Sequence, residues 1–223
     1  MNSRVEQGDC KILMGGGIAE IKDNGLLPVI VTDPPFNIGY KYKTYNDRLP
    51  EKEYLDMLAD ITADTPSVII LYPEILHKLS VVKRQAPNRV VSWVYNSNTA
   101  KQHRDIAFYG MEPDFTKVKQ AYKNPTDKRV QKLIAAGRGA RLYDWWEINQ
   151  VKNVSTEKTE HPCQMPIAVM DRVVGILPDG VGVIDPFCGS GTTGVACRKL
   201  GIPFIGYEID PTYCEIANRR IAL

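Results

Sequence analysis

The sequence predicts an α/β fold built on a mostly parallel sheet with helices on both faces, and three observations carry that reading. Short runs of consecutive apolar, β-branched residues recur without polar alternation, as strands buried on both faces require. Segments with apolar residues at helical spacing lie between them. A glycine-rich loop near the C-terminal end joins one such strand to a helix.

The elements follow in order. Residues 27–33 (LPVIVTD) read as a buried strand that ends at Asp-Pro-Pro. Residues 51–64 place Tyr54, Leu55, Leu58 and Ile61 on one helical face. Residues 67–72 (SVIILY) are a second strand, 74–85 a helix, and 90–95 (VVSWVY) a third strand. From 96 to about 160 the periodicity weakens. Basic residues such as Lys101, Arg104, Lys117, Arg138 and Arg141 alternate there with Phe115, Tyr122, Tyr143, Trp145 and Trp146. Two readings stay open for this stretch: a solvated insert with anchoring aromatics, or a surface offering phosphate contacts and stacking to a nucleic acid. Regularity returns with a helix at 166–177, a strand at 181–185 (VGVID), a helix at 192–200, a strand at 203–208 (PFIGYE) and a closing helix at 211–221.

Bulk composition narrows the class. A chain of 223 residues, 43% hydrophobic, suits one globular domain. A net charge of +2, from 28 basic and 26 acidic residues, neither demands nor excludes nucleic acid. Five cysteines without a CxxC pair argue against a zinc ribbon or a secreted disulfide scaffold, and so for reduced thiols in the cytoplasm and no metal site. The first residues carry no signal-type apolar core, and no run approaches the ~18 apolar residues of a membrane span.

The glycine loop comprises Asp185, Pro186, Phe187, Cys188, Gly189, Ser190, Gly191, Thr192 and Thr193, and with Gly194 it satisfies GxGxxG. Glu208 ends the next strand, where a nucleotide-binding unit places its ribose-binding acid. A carboxylate at Asp185 would repel a pyrophosphate but suits the ammonium and sulfonium of S-adenosylmethionine. Glycine lets the backbone approach such a ligand closely.

Asp33-Pro34-Pro35-Phe36 sits at the other strand end where ligands bind in open α/β sheets. The Asp33 carboxylate and the Pro34 carbonyl form an acceptor pair. An exocyclic amino group held by both acceptors keeps its lone pair available for attack on a sulfonium methyl. Phe36 offers a stacking face to the base.

These residues resemble the permuted, beta-group amino-methyltransferases of DNA over nearly the whole chain. VTDPPFNIGY resembles that family's catalytic segment, DPFCGSGTT its glycine loop, and GYEID (206–210, containing Glu208 and Ile209) its acidic segment. Gly8-Asp9-Cys10 resembles the GDC segment, which implies that Asp9 and the Cys10 backbone meet the cofactor adenine. His161-Pro162-Cys163-Gln164-Met165-Pro166 resembles HPTQKP, which helps bind the methionine part, with Cys163 for Thr and Met165 for Lys. The resemblance implies a seven-stranded, mostly parallel Rossmann-like methyltransferase sheet in circularly permuted order. It further implies one catalytic domain over 1–223 and a short target-recognition insert at about 107–160. It also implies S-adenosylmethionine as cofactor, DNA as substrate with a flipped base, membership of a restriction-modification system, and a homodimer.

Asp33, rather than Ser, before the two prolines favours N6 of adenine over N4 of cytosine, and Phe36 replaces the commoner Tyr. Lys41 and Lys43 in the loop after Phe36, with Arg138 and Arg141, are candidate DNA contacts; that loop reads equally as a closing flap or a mobile solvent loop. Pro162-Cys163-Gln164 also mimics the nucleophile segment of cytosine-C5 enzymes, but amino methylation needs no covalent step. RNA or protein amide methylation, a dinucleotide-dependent oxidoreductase and a non-catalytic cofactor-binding module are the remaining rivals. Asp33, Asp185 and the position of the glycine loop weigh against them.

Overall fold

The structure, a computed structural model, describes residues 3–223. Strand β1 (Arg4–Gln7) leads into α1 (Cys10–Asp23) and β2 (Leu27–Thr32). A long loop then reaches α2 (Glu51–Ile61), followed by β3 (Ser67–Leu71), α3 (Pro73–Lys83), β4 (Arg89–Val94) and β5 (His103–Tyr109). The middle stretch holds β6 (Lys119–Gln120), α4 (Lys128–Ala135), β7 (Ala140–Arg141) and β8 (Trp145–Glu147). The chain closes with α5 (Ile167–Gly175), β9 (Val181–Asp185), α6 (Thr192–Lys199), β10 (Phe204–Glu208) and α7 (Pro211–Ala222).

Eight strands form one sheet in the order β1-β10-β9-β2-β3-β5-β4-β8. Only β5 runs against its neighbours in this sheet. Its central strands are apolar at successive positions because each face carries helices. Val29, Val31, Val68 and Ile70 pack with Val169, Val173, Ala196 and Ala217 of α5, α6 and α7. Ile30, Ile69 and Leu71 pack with Ile21, Leu55, Leu58 and Leu79 of α1, α2 and α3.

The strand order is non-sequential, as circular permutation of a Rossmann-like methyltransferase sheet produces. Both ends of the chain meet at one edge. Asn218 of α7 accepts from the Val5 backbone N–H at 2.9 Å and donates to the Val5 carbonyl at 2.8 Å.

One sequence expectation needs correction, and other elements gain detail. The sheet has eight strands, not seven. The extra one, β8, is three residues long and pairs with Ser92–Val94, anchored by the fully buried Trp146. The expected recognition insert at 107–160 begins inside β5 and contains β8, so residues 110–144 and 148–160 lie outside the sheet. Polar His103, Arg104 and Asp105 open β5 and hid its period, although Ile106–Tyr109 are fully buried. Finally, α1 contains three consecutive glycines, which depress helix propensity. Gly17 allows close approach to β10: a Cβ there would lie 2.2 Å from the Tyr207 hydroxyl.

Candidate active site

The parallel strands end on one side of the sheet, and strands are added in opposite directions from the parallel neighbours β2 and β9: β3 on one side, β10 on the other. Crevices at such switch points bind ligands. A cavity of about 310 Å³ opens there. Asp9 and Cys10 after β1, Asp33, Pro34, Pro35 and Phe36 after β2, Pro186, Phe187 and Gly189 after β9, and Glu208 and Ile209 of the β10 end line it, together with His161. A smaller hollow of about 40 Å³ shares Asp33, His161 and Gly189 with it and adds Gln164, Asp185, Cys188, Ser190, Thr192 and Thr193. Pro162 and Gly191 line neither space. Lys41, Lys43, Arg138 and Arg141 are exposed and also line neither.

The glycine loop is organised around Asp185. Its Oδ1 accepts from Thr32 Oγ1 at 2.9 Å and the Phe187 N–H at 3.1 Å, and its Oδ2 accepts from Thr193 Oγ1 at 2.6 Å. Burial pushes this carboxyl up to about 6, and the hydroxyl hydrogen bonds hold it down against that. Sequence reasoning aimed this carboxylate at a cationic ligand; the geometry shows it holding the loop. Gly189 and Gly191 adopt φ of +52° and +78°, where a side chain is strained. A Cβ on Gly189 would lie 3.0 Å from His161 Nε2. Cys188 is buried, its sulfur 2.6 Å from where a Cβ on Gly206 would stand, so it fills a packing position.

Glu208 accepts the Gly189 N–H on Oε2 and the Asp210 N–H on Oε1, both at 2.8 Å, which leaves each oxygen further accepting capacity. The Gly8 N–H donates to the Glu208 carbonyl at 2.9 Å, setting the Asp9 and Glu208 segments side by side. Asp9 caps α1 through the Lys11 N–H at 2.9 Å. This acid-rich wall, with glycine backbone in place of side chains, fits a ligand bearing hydroxyls and positive charge. It is a poor cradle for a pyrophosphate.

The segment after 156 closes the cavity. Burial, then nearby Lys158, lowers His161 to about 4, so its imidazole is neutral at ordinary pH; Nδ1 is buried without a partner. Its ring meets Tyr213 edge-on at 4.6 Å. Gln164 spends its amide on Thr159 and the Glu157 carbonyl, so it shapes the segment. Partial burial raises the Cys163 thiol, which favours its protonated form.

The Asp33–Phe36 loop is pinned from behind: Tyr54 Oη of α2 donates to the Pro35 carbonyl at 2.7 Å. The loop that follows is tied down. Buried Asp47 accepts the N–H groups of Asn37, Ile38 and Tyr40 at 2.8, 3.2 and 2.9 Å. Asn37 clasps both backbone groups of Leu49. Tyr40, Tyr42 and Tyr45 of this loop line the cavity.

Asp33 accepts no hydrogen bond within the site. Oδ1 is buried with no partner, and Oδ2 lies 3.5 Å from Arg104 Nη1. Burial pushes this carboxyl up to about 7, with Arg104 pulling it down and Asp185 pushing it further up. Sequence reasoning placed Arg104 among surface basic residues and missed Tyr72 and Tyr213 as cavity walls. Register explains Arg104. Because β5 is antiparallel and pairs Leu71 with Asp105, its first residues fall at the carboxyl ends of the parallel strands.

Comparison with known proteins identifies the family. The DNA methylase family of N6- and N4-methyltransferases matches residues 27–219. The chain therefore belongs to this family of S-adenosylmethionine-dependent DNA methyltransferases. It is 26% identical to the type II methyltransferase M.HpaI of Haemophilus parainfluenzae, across 96% of this chain and 74% of that one. It is 28% identical to the DNA adenine methyltransferase YhdJ of Escherichia coli K12, across 94% and 82%. The fold is similar to that of M1.HpyAVI in its complex with SAM (TM-score 0.59, 22% identity, 98% of this chain and all of that one). It also resembles the cytosine-N4-specific PvuII DNA methyltransferase (TM-score 0.63, 14% identity, 99% and 86%). No helix among the described residues is long and apolar enough to cross a membrane.

Proposed function

We propose that this protein methylates the N6 amino group of adenine in DNA, with Asp33 as the catalytic acceptor. The observation that carries the reading is the unpartnered, buried Asp33 Oδ1 beside the cavity that the glycine loop and Glu208 share. In this reading Glu208 takes the ribose hydroxyls, the Asp9–Cys10 segment the adenine ring of the cofactor, and the Asp185 hollow with His161 its methionine part. Bound S-adenosylmethionine supplies a methyl group on a sulfonium leaving group.

The chain's residues do the rest. A base inside a duplex cannot reach a pocket at the strand ends, so the target is flipped out and stacks on Phe36. Asp33 Oδ1 and the Pro34 carbonyl accept the two amino N–H groups and orient the nitrogen lone pair. The nitrogen forms the new N–C bond as the C–S bond breaks, sulfur keeps the electron pair, and the nitrogen sheds one proton for Asp33 to take. Lys41 and Lys43 flank Tyr42 of the cavity wall and, with Arg138 and Arg141, are proposed phosphate contacts.

N4 of cytosine is the second reading, because the PvuII enzyme of similar fold is cytosine-N4-specific. The test is transfer of labelled methyl from S-adenosylmethionine to unmethylated bacterial DNA, followed by nucleoside analysis. N6-methyladenine is the expected product. N4-methylcytosine would replace adenine as the target, and no labelled nucleoside would overturn the proposed function.

A further inference from the structure

Arg104 is a charged group of the site that no sequence pattern accounts for. Its side chain is 14% exposed and sits in a box of aromatic rings. The guanidinium carbon lies 4.4 Å from the ring centre of Phe36, 5.3 Å from that of Trp93, 5.6 Å from Tyr72 and 5.9 Å from Tyr95. Desolvating an arginine this far is unfavourable unless something offsets it. The rings offset part of it through cation–π attraction, and Asp33 offsets more.

The contacts are directional. Nη1 stands 3.5 Å from Asp33 Oδ2 and donates to Met165 Sδ at 3.8 Å. Nε is buried without a partner, as is Asp33 Oδ1. The neutral thioether of Met165 lets a cation sit here, whereas a lysine at that position would set a like charge against it. Tyr72 touches both Phe36, at 5.0 Å between ring centres, and the guanidinium. The catalytic carboxylate, the stacking ring and the arginine are therefore one packed unit.

We propose that Arg104 is a positioning residue for methyl transfer: lodged against Phe36, it holds the Asp33 carboxylate by Oδ2 and leaves Oδ1 as the unshared acceptor for the target amino group. This rests on the proposed role of Asp33 and deepens it. A carboxylate without this counter-ion would be free to rotate in its pocket and would protonate more readily. The other groups that face Asp33 cannot replace the charge. Asp185 of β9 is an anion, and Tyr42 of the following loop, Tyr54 of α2 and Cys163 are neutral at ordinary pH.

The test compares wild type with Arg104→Met and Arg104→Lys. Two readouts are used: kcat/KM for methyl transfer to unmethylated DNA between pH 6 and 9, and the Asp33 carboxyl titration followed by 13C NMR, assigned with Asp33→Asn. Removing a cation at this distance is expected to move the Asp33 titration up by about one to three pH units. The acidic limb of kcat/KM moves with it, so the deficit of Arg104→Met is roughly six- to twentyfold larger at pH 6.5 than at pH 8.5. Arg104→Lys restores much of the limb, and cofactor affinity by calorimetry stays within about threefold, equivalent to less than 1 kcal/mol. Arg104→Met with an unshifted Asp33 titration would overturn the proposal, even in a preparation without activity. An unshifted rate profile alongside full wild-type methylation would overturn it too, while leaving the proposed function standing. If Arg104→Met does not fold, Arg104→Lys carries the same comparison: a limb and titration that both match Arg104 within error support the charge role, and loss of activity without a titration shift overturns it.

Discussion

Asp33 and Asp185 stand at the ends of adjacent strands, β2 and β9, and both are buried acids. They are used in opposite ways. Asp185 takes three hydrogen bonds from its own surroundings, through Thr32, Phe187 and Thr193. Asp33 has only the long contact to Arg104 and keeps Oδ1 open. A protein tolerates an unsatisfied buried acceptor where an incoming group will satisfy it. The contrast separates a carboxylate that holds the glycine loop from one that, on the proposed function, is reserved for chemistry.

The largest expected effect tests the reserved carboxylate. Asp33→Ala should lower kcat for methyl transfer by about a hundred- to ten-thousand-fold, the usual contribution of a positioned base. Its thermal midpoint should change little beside that loss; a variant with more than a tenth of wild-type kcat would break the contrast.

Next comes pH. The acceptor form of Asp33 is the carboxylate, and its folded-state value near 7 lies above the ordinary 3.8. Activity therefore rises with pH through about 7 and falls as the carboxylate protonates below it. The limb in kcat/KM reports the free enzyme and that in kcat the complex, where the cofactor cation pulls Asp33 down. A kcat limb lying above the kcat/KM limb would contradict this assignment.

Thr193→Val probes the other carboxylate. It leaves Asp185 Oδ2 without its donor, at a cost of about 1–3 kcal/mol. For a chain of this length that lowers the thermal midpoint by about 2–4 °C per kcal/mol, and cofactor affinity falls with it. Unchanged melting and affinity would show that Asp185 does not hold the loop. Tyr54→Phe acts on the Asp33 side, removing the bond to the Pro35 carbonyl for about 0.5–1.5 kcal/mol. Its kcat should fall more than its cofactor affinity.

The smallest effect is a control away from both carboxylates. Gly15 and Gly16 are exposed in α1 with open space at their Cβ positions. Alanine at either should stabilise by about 0.5–1 kcal/mol without touching kcat.

The contrast between the carboxylates also shows what a sequence can reveal. Asp33, Asp185 and Glu208 were legible because each ends an uninterrupted apolar run and is followed by prolines, glycines or a helix cap. Those are local signals. The different hydrogen bonding of the two aspartates was not legible, since Thr32 lies 153 positions from Asp185 along the chain. Arg104 stayed hidden for the same reason: its place depends on the antiparallel register of β5 with β3. Strand β8 rests on one buried indole, too short a run for any period to show. The N-terminal elements, β1 and α1, gave weak signals because β1 has four residues and α1 carries a glycine triplet.

The most direct test of the division between the two carboxylates is S-adenosylmethionine affinity of Asp33→Asn and Asp185→Asn, measured side by side by calorimetry. Both substitutions keep size and remove charge. Asp33→Asn should bind within about threefold of wild type, and Asp185→Asn should bind at least about tenfold more weakly, the loss of one charge-assisted interaction. Equal losses in the two variants, or a larger loss at Asp33, would contradict the account.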